Sequence, residues 1–243
     1  MVQCMESPVR AKTVNLDFDF DQLNERFEQS EPMEILTWCV ANMPEGLAQT
    51  TAFSILSVTH MLYRELDAPV PVIFLDTLHH FPETLETAER AKELYNLDLH
   101  IYRAQHVNSR KEFAVRYGER LWEQDVDRFH YLTKVEPLQR SLCEVDVTAW
   151  ITGRRRDQSR TRYHMPIFEP DAQGRVKINP LANWTRKELW SYTYKHNVLY
   201  NPLHDRGYTS IGDEPLTTPV SPGEDERAGR WRGSAKTECG IHI

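Results

Sequence analysis

The amino-acid sequence predicts an α/β protein built on a doubly wound, mostly parallel β-sheet. Two observations carry this prediction. Short, continuous apolar runs such as 70–75 are typical of strands that are buried on both faces of a parallel sheet. Segments with apolar residues at helical spacing lie between those runs, and strand and helix signals alternate through most of the 243 residues.

The individual elements follow in chain order. Apolar spacing predicts helices at 21–27 and 32–43, and the first strand covers 47–53. A helix at 55–66 leads to the second strand, Pro71-Val72-Ile73-Phe74-Leu75-Asp76. We then expect a helix at 82–95, a strand at 97–102, and helices at 109–117 and 135–144. A further buried strand covers 148–152, and a capping box formed by Thr185 and Glu188 opens a helix at 186–196.

Composition and charge exclude several classes of protein. The formal net charge of −7 argues against broad nucleic-acid or membrane binding. Positive charge is nevertheless concentrated at 154–162 and 227–236, which fits a small anionic ligand better than a polyanion. No apolar run approaches the roughly 18 residues of a membrane span, and no signal-peptide pattern opens the sequence. We therefore expect a cytoplasmic protein, or a plastid stromal one if a transit peptide is missing from the sequence.

The four cysteines, Cys4, Cys39, Cys143 and Cys239, are widely scattered and form no C-x-x-C motif. This spacing argues against a zinc site, a set of cluster-binding thiolates or a secreted disulfide framework. Cys39 and Cys143 lie among apolar residues and are expected to be buried. The His79-His80 pair does not indicate a metal either, because adjacent side chains point apart and no third ligand is evident.

Cys239 stands four positions from the end of the sequence, in a locally basic segment. It is followed by Gly240 and His242, and it is preceded within twelve residues by Arg227, Arg230, Arg232 and Lys236. A nearby cation lowers the pKa of a cysteine toward the reactive thiolate, and Gly240 adds backbone freedom. The arrangement predicts a mobile nucleophile, with a surface cysteine on a disordered tail as the alternative.

Three polar segments, 49–54, 76–81 and 153–159, follow predicted strands, where doubly wound sheets bind ligands. In the first, Thr50, Thr51 and Ser54 are candidates to cradle a phosphate, with helix capping as the alternative. In the second, Asp76 and Thr77 are candidates to hold a ribose or adenine edge, with capping of the next helix as the alternative.

The third segment concentrates arginines. Arginine forks match phosphate and sulfate oxygens, and five such residues within nine positions would repel one another without an anion. They are Arg154, Arg155, Arg156, Arg160 and Arg162. A solvated cationic face is the alternative.

Together these segments resemble the sulfonucleotide reductases, most closely the cluster-free, thioredoxin-dependent phosphoadenylyl-sulfate (PAPS) reductases. The resemblance runs from about Leu47 to the C-terminus and rests on five motifs. They are Phe74-Leu75-Asp76-Thr77-Leu78-His79-His80-Phe81-Pro82-Glu83-Thr84, Lys134-Val135-Glu136-Pro137-Leu138, Ile151-Thr152-Gly153-Arg154-Arg155-Arg156-Asp157-Gln158-Ser159, Gly223-Glu224-Asp225-Glu226-Arg227-Ala228-Gly229-Arg230-Trp231 and Glu238-Cys239-Gly240-Ile241-His242.

The resemblance implies an adenine nucleotide α-hydrolase-like sheet with the nucleotide at its carboxyl edge. We divide the chain into a loose N-terminal lead-in at 1–15, a single α/β nucleotide-binding domain at 16–210, and a mobile tail at 211–243 that closes over the nucleotide. Cys239 would be the nucleophile and His242 a tail residue near the sulfate. Lys134, Arg227 and Arg230 would contact the phosphosulfate, and Arg162 the phosphate side of the nucleotide. The expected substrate-binding set is completed by Thr50, Thr51, Ser54, Asp76, Thr77, Arg154 and Arg155.

Two cysteine pairs mark the iron–sulfur branch of this family, which favours adenylyl sulfate (APS). Here those places hold Phe129 and His130, and Asp213 with Leu216. None of these side chains supplies a thiolate, so we expect no cofactor and no cluster. By family association this favours PAPS as substrate, with APS as the alternative. A departure from the family pattern at Phe53-Ser54 leaves the phosphate contacts of the first turn open.

The reaction implied by the resemblance belongs to assimilatory sulfate reduction and yields sulfite and adenosine 3′,5′-bisphosphate through an S-sulfocysteine at Cys239. Thioredoxin or glutaredoxin would be a separate reductant. An ATP pyrophosphatase or nucleotidyltransferase and a non-catalytic nucleotide-binding redox module are the rival interpretations. The oligomeric state stays open, with a homodimer as one alternative.

Overall fold

The computed structural model of the protein describes residues 18–221, 223–232, 236, 238 and 240–241. Within these residues a six-stranded sheet has the order β3-β2-β1-β4-β6-β5. The strands are β1 (Leu47–Thr51), β2 (Val72–Leu75), β3 (Leu99–Tyr102), β4 (Ala149–Ile151), β5 (Phe168–Pro170) and β6 (Val176–Ile178). All neighbouring pairs are parallel except β5 and β6. The predicted mostly parallel α/β sheet is therefore confirmed.

Helices cover both faces of the sheet, which explains why β2 and β4 are apolar along their whole length. Leu47 of β1 and Ile151 of β4 point into a core shared with the N-terminal helices, whereas Trp150 points to the opposite face. There it packs with Leu138 and Leu142 of the helix Glu136–Glu144. Because successive strand residues face opposite sides, a strand that is buried on both faces has no polar alternation.

Most of the α-helices lie close to their predicted positions, but two short ones at 121–124 and 126–130 were not predicted. The α-helices are α1 (Phe20–Phe27), α2 (Pro32–Asn42), α3 (Ser57–His60), α4 (Pro82–Tyr95), α5 (Arg110–Tyr117), α6 (Leu121–Gln124), α7 (Val126–His130), α8 (Glu136–Glu144) and α9 (Arg186–Lys195). The predicted capping box of α9 is present, since Thr185 Oγ1 accepts from Glu188 N and Glu188 Oε2 accepts from Thr185 N. Short 3₁₀ helices occur at Arg156–Gln158, Arg160–Arg162, Pro202–Arg206 and Glu214–Leu216.

Several features differ from the prediction. The expected helix at 55–66 begins at Ser57 as α3 and continues as a π-helix, Met61–Glu65, and a second π-helix, Tyr131–Val135, precedes α8. The first strand ends at Thr51, two residues early, because Phe53 adopts a left-handed conformation with φ 50°. The edge pair β5 and β6 was not predicted, since each strand is only three residues long.

None of the described helices is long and apolar enough to cross a lipid bilayer. The predicted lead-in at 1–15 lies outside the described residues, and the division at 210 stays a prediction.

Candidate active site

A cavity of about 260 Å³ opens at the carboxyl edge of the sheet, beyond the ends of β1, β2 and β4. Most of the predicted substrate-binding residues line it, although they come from segments more than 170 positions apart. These are Thr50, Thr51, Ser54, Lys134, Arg154, Arg155, Arg162, Arg227 and Arg230. Among the described lining residues, six are Lys or Arg and one, Glu226, is a carboxylate. On a chain with net charge −7, this is a strongly cationic cavity suited to an anion.

The turn after β1 supplies hydroxyls to the cavity, but each of them has a protein partner. Thr50 Oγ1 donates to the Ile151 carbonyl at 3.3 Å, and Thr51 Oγ1 accepts from Phe53 N at 3.1 Å. Ser54 Oγ lies 2.8 Å from Nε2 of His204. Burial lowers the pKa of His204 to about 4, so this imidazole is neutral near pH 7 and leaves the site's charge unchanged. No pattern in the sequence pointed to His204.

Asp76 and Thr77 are buried beside the cavity without lining it. Asp76 accepts from Leu78 N at 2.9 Å and from Arg103 Nε at 2.7 Å, whereas Thr77 Oγ1 accepts from His79 N at 3.3 Å. Both side chains therefore stabilise their own turn, and neither caps α4, whose N-cap residue is Phe81. Their role in ligand binding stays a prediction.

His80, which the sequence did not assign to the site, lines the cavity after β2. Its Nε2 donates to the Leu75 carbonyl at 2.9 Å, which leaves Nδ1 as a hydrogen-bond acceptor. That Nδ1 is buried, and no described group bonds to it.

Lys134 enters the cavity from the π-helix that precedes α8 and is held by a buried acid. Its Nζ pairs with Asp213 Oδ2, and the Asp213 side chain is fully buried. Burial opposes ionisation of Asp213, but the Lys134 ammonium and a hydrogen bond from His130 hold its pKa well below the usual range. The pair thus fixes the ammonium at the cavity wall.

Four residues stand at the places where the iron–sulfur branch has its cysteine pairs, and they lie close together near Lys134. They are Phe129, His130, Asp213 and Leu216. His130 Nε2 lies 3.5 Å from Asp213 Oδ2, and Leu216 packs on the apolar cluster that contains Phe129. Burial lowers the pKa of His130 to about 4. A neutral imidazole, a carboxylate already paired with Lys134 and two hydrocarbon side chains do not fit an iron–sulfur cluster, which needs thiolates.

Arg154 and Arg155 are buried at the end of β4 and are paired with distant carboxylates. Arg154 pairs with Glu169 of β5. Arg155 Nε donates to Asp157 at 2.9 Å, and its Nη2 donates to Glu226 at 2.6 Å. These carboxylates offset part of the repulsion among the clustered arginines. Arg156 points away from the cavity and pairs with Glu28 of the chain segment after α1.

Arg162 and Arg227 converge on one carboxylate of the C-terminal segment. Arg162 forms a two-pronged pair with Glu238, with Nε to Oε1 at 2.8 Å and Nη2 to Oε2 at 2.7 Å. Arg227 Nη2 adds a bond to Oε2 at 3.2 Å. Burial opposes ionisation of Glu238, yet the two arginines lower its pKa. The contact expected between Arg162 and a nucleotide phosphate stays a prediction.

Arg230 is placed by its neighbours on both sides. Its guanidinium carbon lies 4.6 Å from the centre of the Trp231 ring, and Nη1 donates to the Ile211 carbonyl at 3.2 Å. The backbone of Gly212 lies so close that a Cβ atom there would overlap the guanidinium. Arg230 therefore lies between an aromatic ring and a glycine whose missing side chain leaves room for the guanidinium.

The predicted nucleophile, Cys239, and its neighbour His242 lie outside the described residues, as does Cys4. Of the other cysteines, Cys39 is fully buried in α2, as expected. Cys143 of α8, which was also expected to be buried, is only half-buried, with Arg175 Nη2 at 3.3 Å from its sulfur. Neither Cys39 nor Cys143 lines the cavity.

The predicted absence of a bound metal stays a prediction. Outside the cavity, the ligand atoms of His60, Glu65 and His196 lie within 4.8 Å of one another. Glu65 accepts a hydrogen bond from the Tyr192 hydroxyl, and His60 Nδ1 lies 3.3 Å from the Tyr95 hydroxyl. These groups form a hydrogen-bonded polar cluster between the first π-helix and α9.

Comparison with known proteins gives this geometry a family context. Residues 49–219 match the family described as "Phosphoadenosine phosphosulfate reductase domain". The phosphoadenosine phosphosulfate reductase of Emericella nidulans is 47% identical over 226 residues, which are 90% of this chain and 74% of that protein. The adenosine 5′-phosphosulfate reductase of Salinibacter ruber is 43% identical over 224 residues, which are 90% of this chain and 87% of that protein.

A solved structure shares the fold. The phosphoadenylyl-sulfate (PAPS) reductase of Candida auris in its phosphate complex superposes with a TM-score of 0.75 at 40% identity, covering 83% of this chain and 96% of that chain. This likeness confirms the predicted adenine nucleotide α-hydrolase-like arrangement.

Proposed function

Because the chain belongs to the phosphoadenosine phosphosulfate reductase family, we propose that it reduces 3′-phosphoadenylyl sulfate to sulfite and releases adenosine 3′,5′-bisphosphate. The observation that carries the proposal is the cavity at the carboxyl edge of the sheet, where six Lys and Arg side chains converge. Such a concentration of donors suits a ligand with several phosphate and sulfate groups.

The chemistry assigns the first bond exchange to Cys239. Its thiolate attacks the sulfur of the phosphosulfate, a sulfur–sulfur bond forms, and the bond from that sulfur to the bridging phosphate oxygen breaks. The electron pair leaves with adenosine 3′,5′-bisphosphate, and Cys239 becomes an S-sulfocysteine. Lys134 and Arg230 lower the barrier by neutralising oxygens around the sulfur and the charge that grows on the leaving phosphate.

Two electrons from a dithiol protein complete the cycle. A thioredoxin-type thiolate attacks the Cys239 sulfur, forms a mixed disulfide and expels sulfite. The second thiol of the reductant then attacks that disulfide, which restores the Cys239 thiol and oxidises the reductant. Glutaredoxin is the alternative reductant, since it supplies the same dithiol chemistry.

We also propose that the reaction runs without an iron–sulfur cluster. The support is the residue set at the corresponding place, where His130 and Asp213 form part of a buried ion network with Lys134. Purified protein is expected to be colourless and free of iron and acid-labile sulfide. Stoichiometric iron in protein purified without oxygen would contradict this part of the proposal.

Adenylyl sulfate is the second candidate substrate, because a relative with 43% identity carries the name of an adenosine 5′-phosphosulfate reductase. The two substrates differ only in the 3′-phosphate. Parallel turnover assays with both nucleotides, at equal concentration and with the same thioredoxin, decide between them. We expect the higher kcat/KM for PAPS.

The direct test omits the reductant. Incubation of the reduced protein with PAPS is expected to add the mass of one SO3 group to the C-terminal peptide, together with one equivalent of adenosine 3′,5′-bisphosphate in solution. An ATP pyrophosphatase or a non-catalytic nucleotide-binding module would give no such adduct. A protein that binds PAPS without acquiring the SO3 group would overturn the proposed function.

A further inference from the structure

The C-terminal segment is held against the body of the protein on both sides of Cys239. On one side, Glu238 pairs with Arg162 and Arg227. On the other side, Ile241 packs on the apolar cluster that contains Leu138 of α8 and also lines the cavity. Described residues on both sides of position 239 therefore contact the body of the protein.

The ion pair between Arg162 and Glu238 has the features of a strong interaction. The Arg162 and Glu238 side chains are only 8% and 17% exposed, and the pair has the two-pronged geometry that gives arginine its directional preference for carboxylates. The third guanidinium nitrogen, Nη1, donates to Gln158 Oε1, so all three nitrogens of Arg162 are bonded within the protein. This bonding distinguishes Arg162 from a residue that is kept ready for a substrate anion.

From this geometry we infer that Glu238 is a positioning residue for the first chemical step, and that Arg162 acts by holding Glu238 rather than by binding the nucleotide. The inference rests on the proposed function and refines it. With the carboxylate docked, the tail presents the thiol of Cys239 to the sulfur. With the pair broken, the thiol spends less time in reach of the sulfur, while the cationic cavity can still bind nucleotide.

The competing interpretation is that Glu238 is a stand-in for the substrate, occupying an anion site from which the phosphosulfate displaces it. The two interpretations predict opposite effects of removing the carboxylate charge. If the Glu238 carboxylate competes with the substrate for the anion site, its removal lowers KM and leaves SO3 transfer at the wild-type rate. A positioning residue promotes the transfer itself, so its loss lowers the rate and leaves nucleotide affinity nearly unchanged.

The test is a rapid-quench single-turnover measurement with labelled PAPS and excess enzyme, without reductant, on Glu238→Gln. This substitution keeps the size of the side chain and removes its charge. We expect SO3 transfer to Cys239 to slow by about tenfold to a hundredfold, the cost of one charged hydrogen-bonded pair. Affinity for adenosine 3′,5′-bisphosphate, measured by calorimetry, should stay within about threefold, which also shows that the variant is folded.

Glu224→Gln is the matched control. Glu224 forms a similar two-pronged pair with Arg232 in the same C-terminal region, but that pair is exposed and neither residue lines the cavity. We expect wild-type transfer rates for this variant. A loss as large as that of Glu238→Gln would mean that any carboxylate in the segment matters, and it would overturn the inference.

A double-mutant cycle separates coupling from independent effects. If Arg162 acts through Glu238, Arg162→Gln combined with Glu238→Gln should be no slower than the slower single variant. Additive losses would overturn the assignment of Arg162. If the wild type forms no adduct, the proposed function and this inference both fail. If the wild type forms it and Glu238→Gln keeps pace, only this inference fails.

Discussion

Arg230 is the residue whose placement in the cavity is best explained by its surroundings. The Trp231 ring supports the guanidinium on one side, and Gly212 leaves it room on the other. The Arg-x-x-Arg spacing of Arg227 and Arg230 was visible in the sequence as a basic segment. The close approach of Gly212 to this guanidinium was not, because it joins two segments 18 positions apart.

We predict that Arg230→Ala and Gly212→Ala both weaken nucleotide binding. The first removes a charged donor, worth roughly 1.5–3 kcal/mol. Gly212→Ala weakens binding indirectly, because the new Cβ displaces the guanidinium of Arg230. The backbone conformation of residue 212 itself tolerates alanine. Calorimetric titration with adenosine 3′,5′-bisphosphate measures both, with the exposed Arg232→Ala as a control that should bind normally. Normal binding by Gly212→Ala would show that Arg230 does not need its present position.

The second residue-scale prediction concerns the thiol. Cys239→Ser should abolish sulfite release, because a hydroxyl near neutral pH is a far poorer nucleophile than a thiolate. Nucleotide affinity should stay within a few-fold, since it depends on Lys134 and the arginines. Cys39→Ala, which replaces the buried thiol of α2, should remain active in the same sulfite assay. Sulfite release by Cys239→Ser near the wild-type rate would make the nucleophile assignment wrong.

The sequence predicted the cations of the site better than their partners. Arg154, Arg155 and Arg162 stand in one short segment, so their charge was evident without a fold. Glu169, Glu226 and Glu238, which pair with them, lie 15, 71 and 76 positions further along the chain. Ion pairs at such separations are created by the fold and have no local sequence pattern.

At the scale of elements, the strands and helices with strong periodicity were predicted and the short ones were not. The buried runs of β2 and β4 and the long helix α4 had clear signals. The hairpin of β5 and β6 did not, because Pro170 and the buried Lys177 interrupt the apolar pattern. Lys177 is accommodated by Glu169 at 3.3 Å and by the ring of Trp150, contacts that exist only in the folded sheet.

The link between the π-helix Tyr131–Val135 and the 3₁₀ helix Glu214–Leu216 gives an element-scale prediction. Asp213→Asn leaves the Lys134 ammonium buried without its counter-ion, which should lower the free energy of unfolding by about 3–5 kcal/mol. Urea denaturation measures this change. The exposed pair Arg120 and Glu123 provides the comparison, where Glu123→Gln should cost less than about 1 kcal/mol. Equal losses would mean that the buried pair contributes no more than a surface pair.

For the whole molecule, two buried histidines predict how stability depends on pH. Burial lowers the pKa of both His130 and His204 from 6.5 to about 4. Between these values the unfolded chain binds protons that the folded protein does not, so stability falls as the pH drops from 6.5 toward 4. Each histidine contributes a slope of up to about 1.4 kcal/mol per pH unit in that window.

His204→Gln tests this slope because it removes one of the histidines whose pKa is lowered to about 4. Urea midpoints measured from pH 7 down to pH 4.5 should fall less steeply for the variant than for the wild type. Parallel curves would show that His204 is protonated in the folded protein over this range.

The strand order also determines when the sheet can be completed during synthesis. The central strand β1 pairs with β2, which follows it closely, and with β4, whose first residue Ala149 lies opposite Leu47. About a hundred residues must therefore leave the ribosome before the second edge of β1 is covered, which at about 5–20 residues per second takes several seconds. During that interval the nascent chain exposes an apolar, unpaired strand edge. Until β4 emerges, the order of the strands thus leaves that edge open to pairing with other chains.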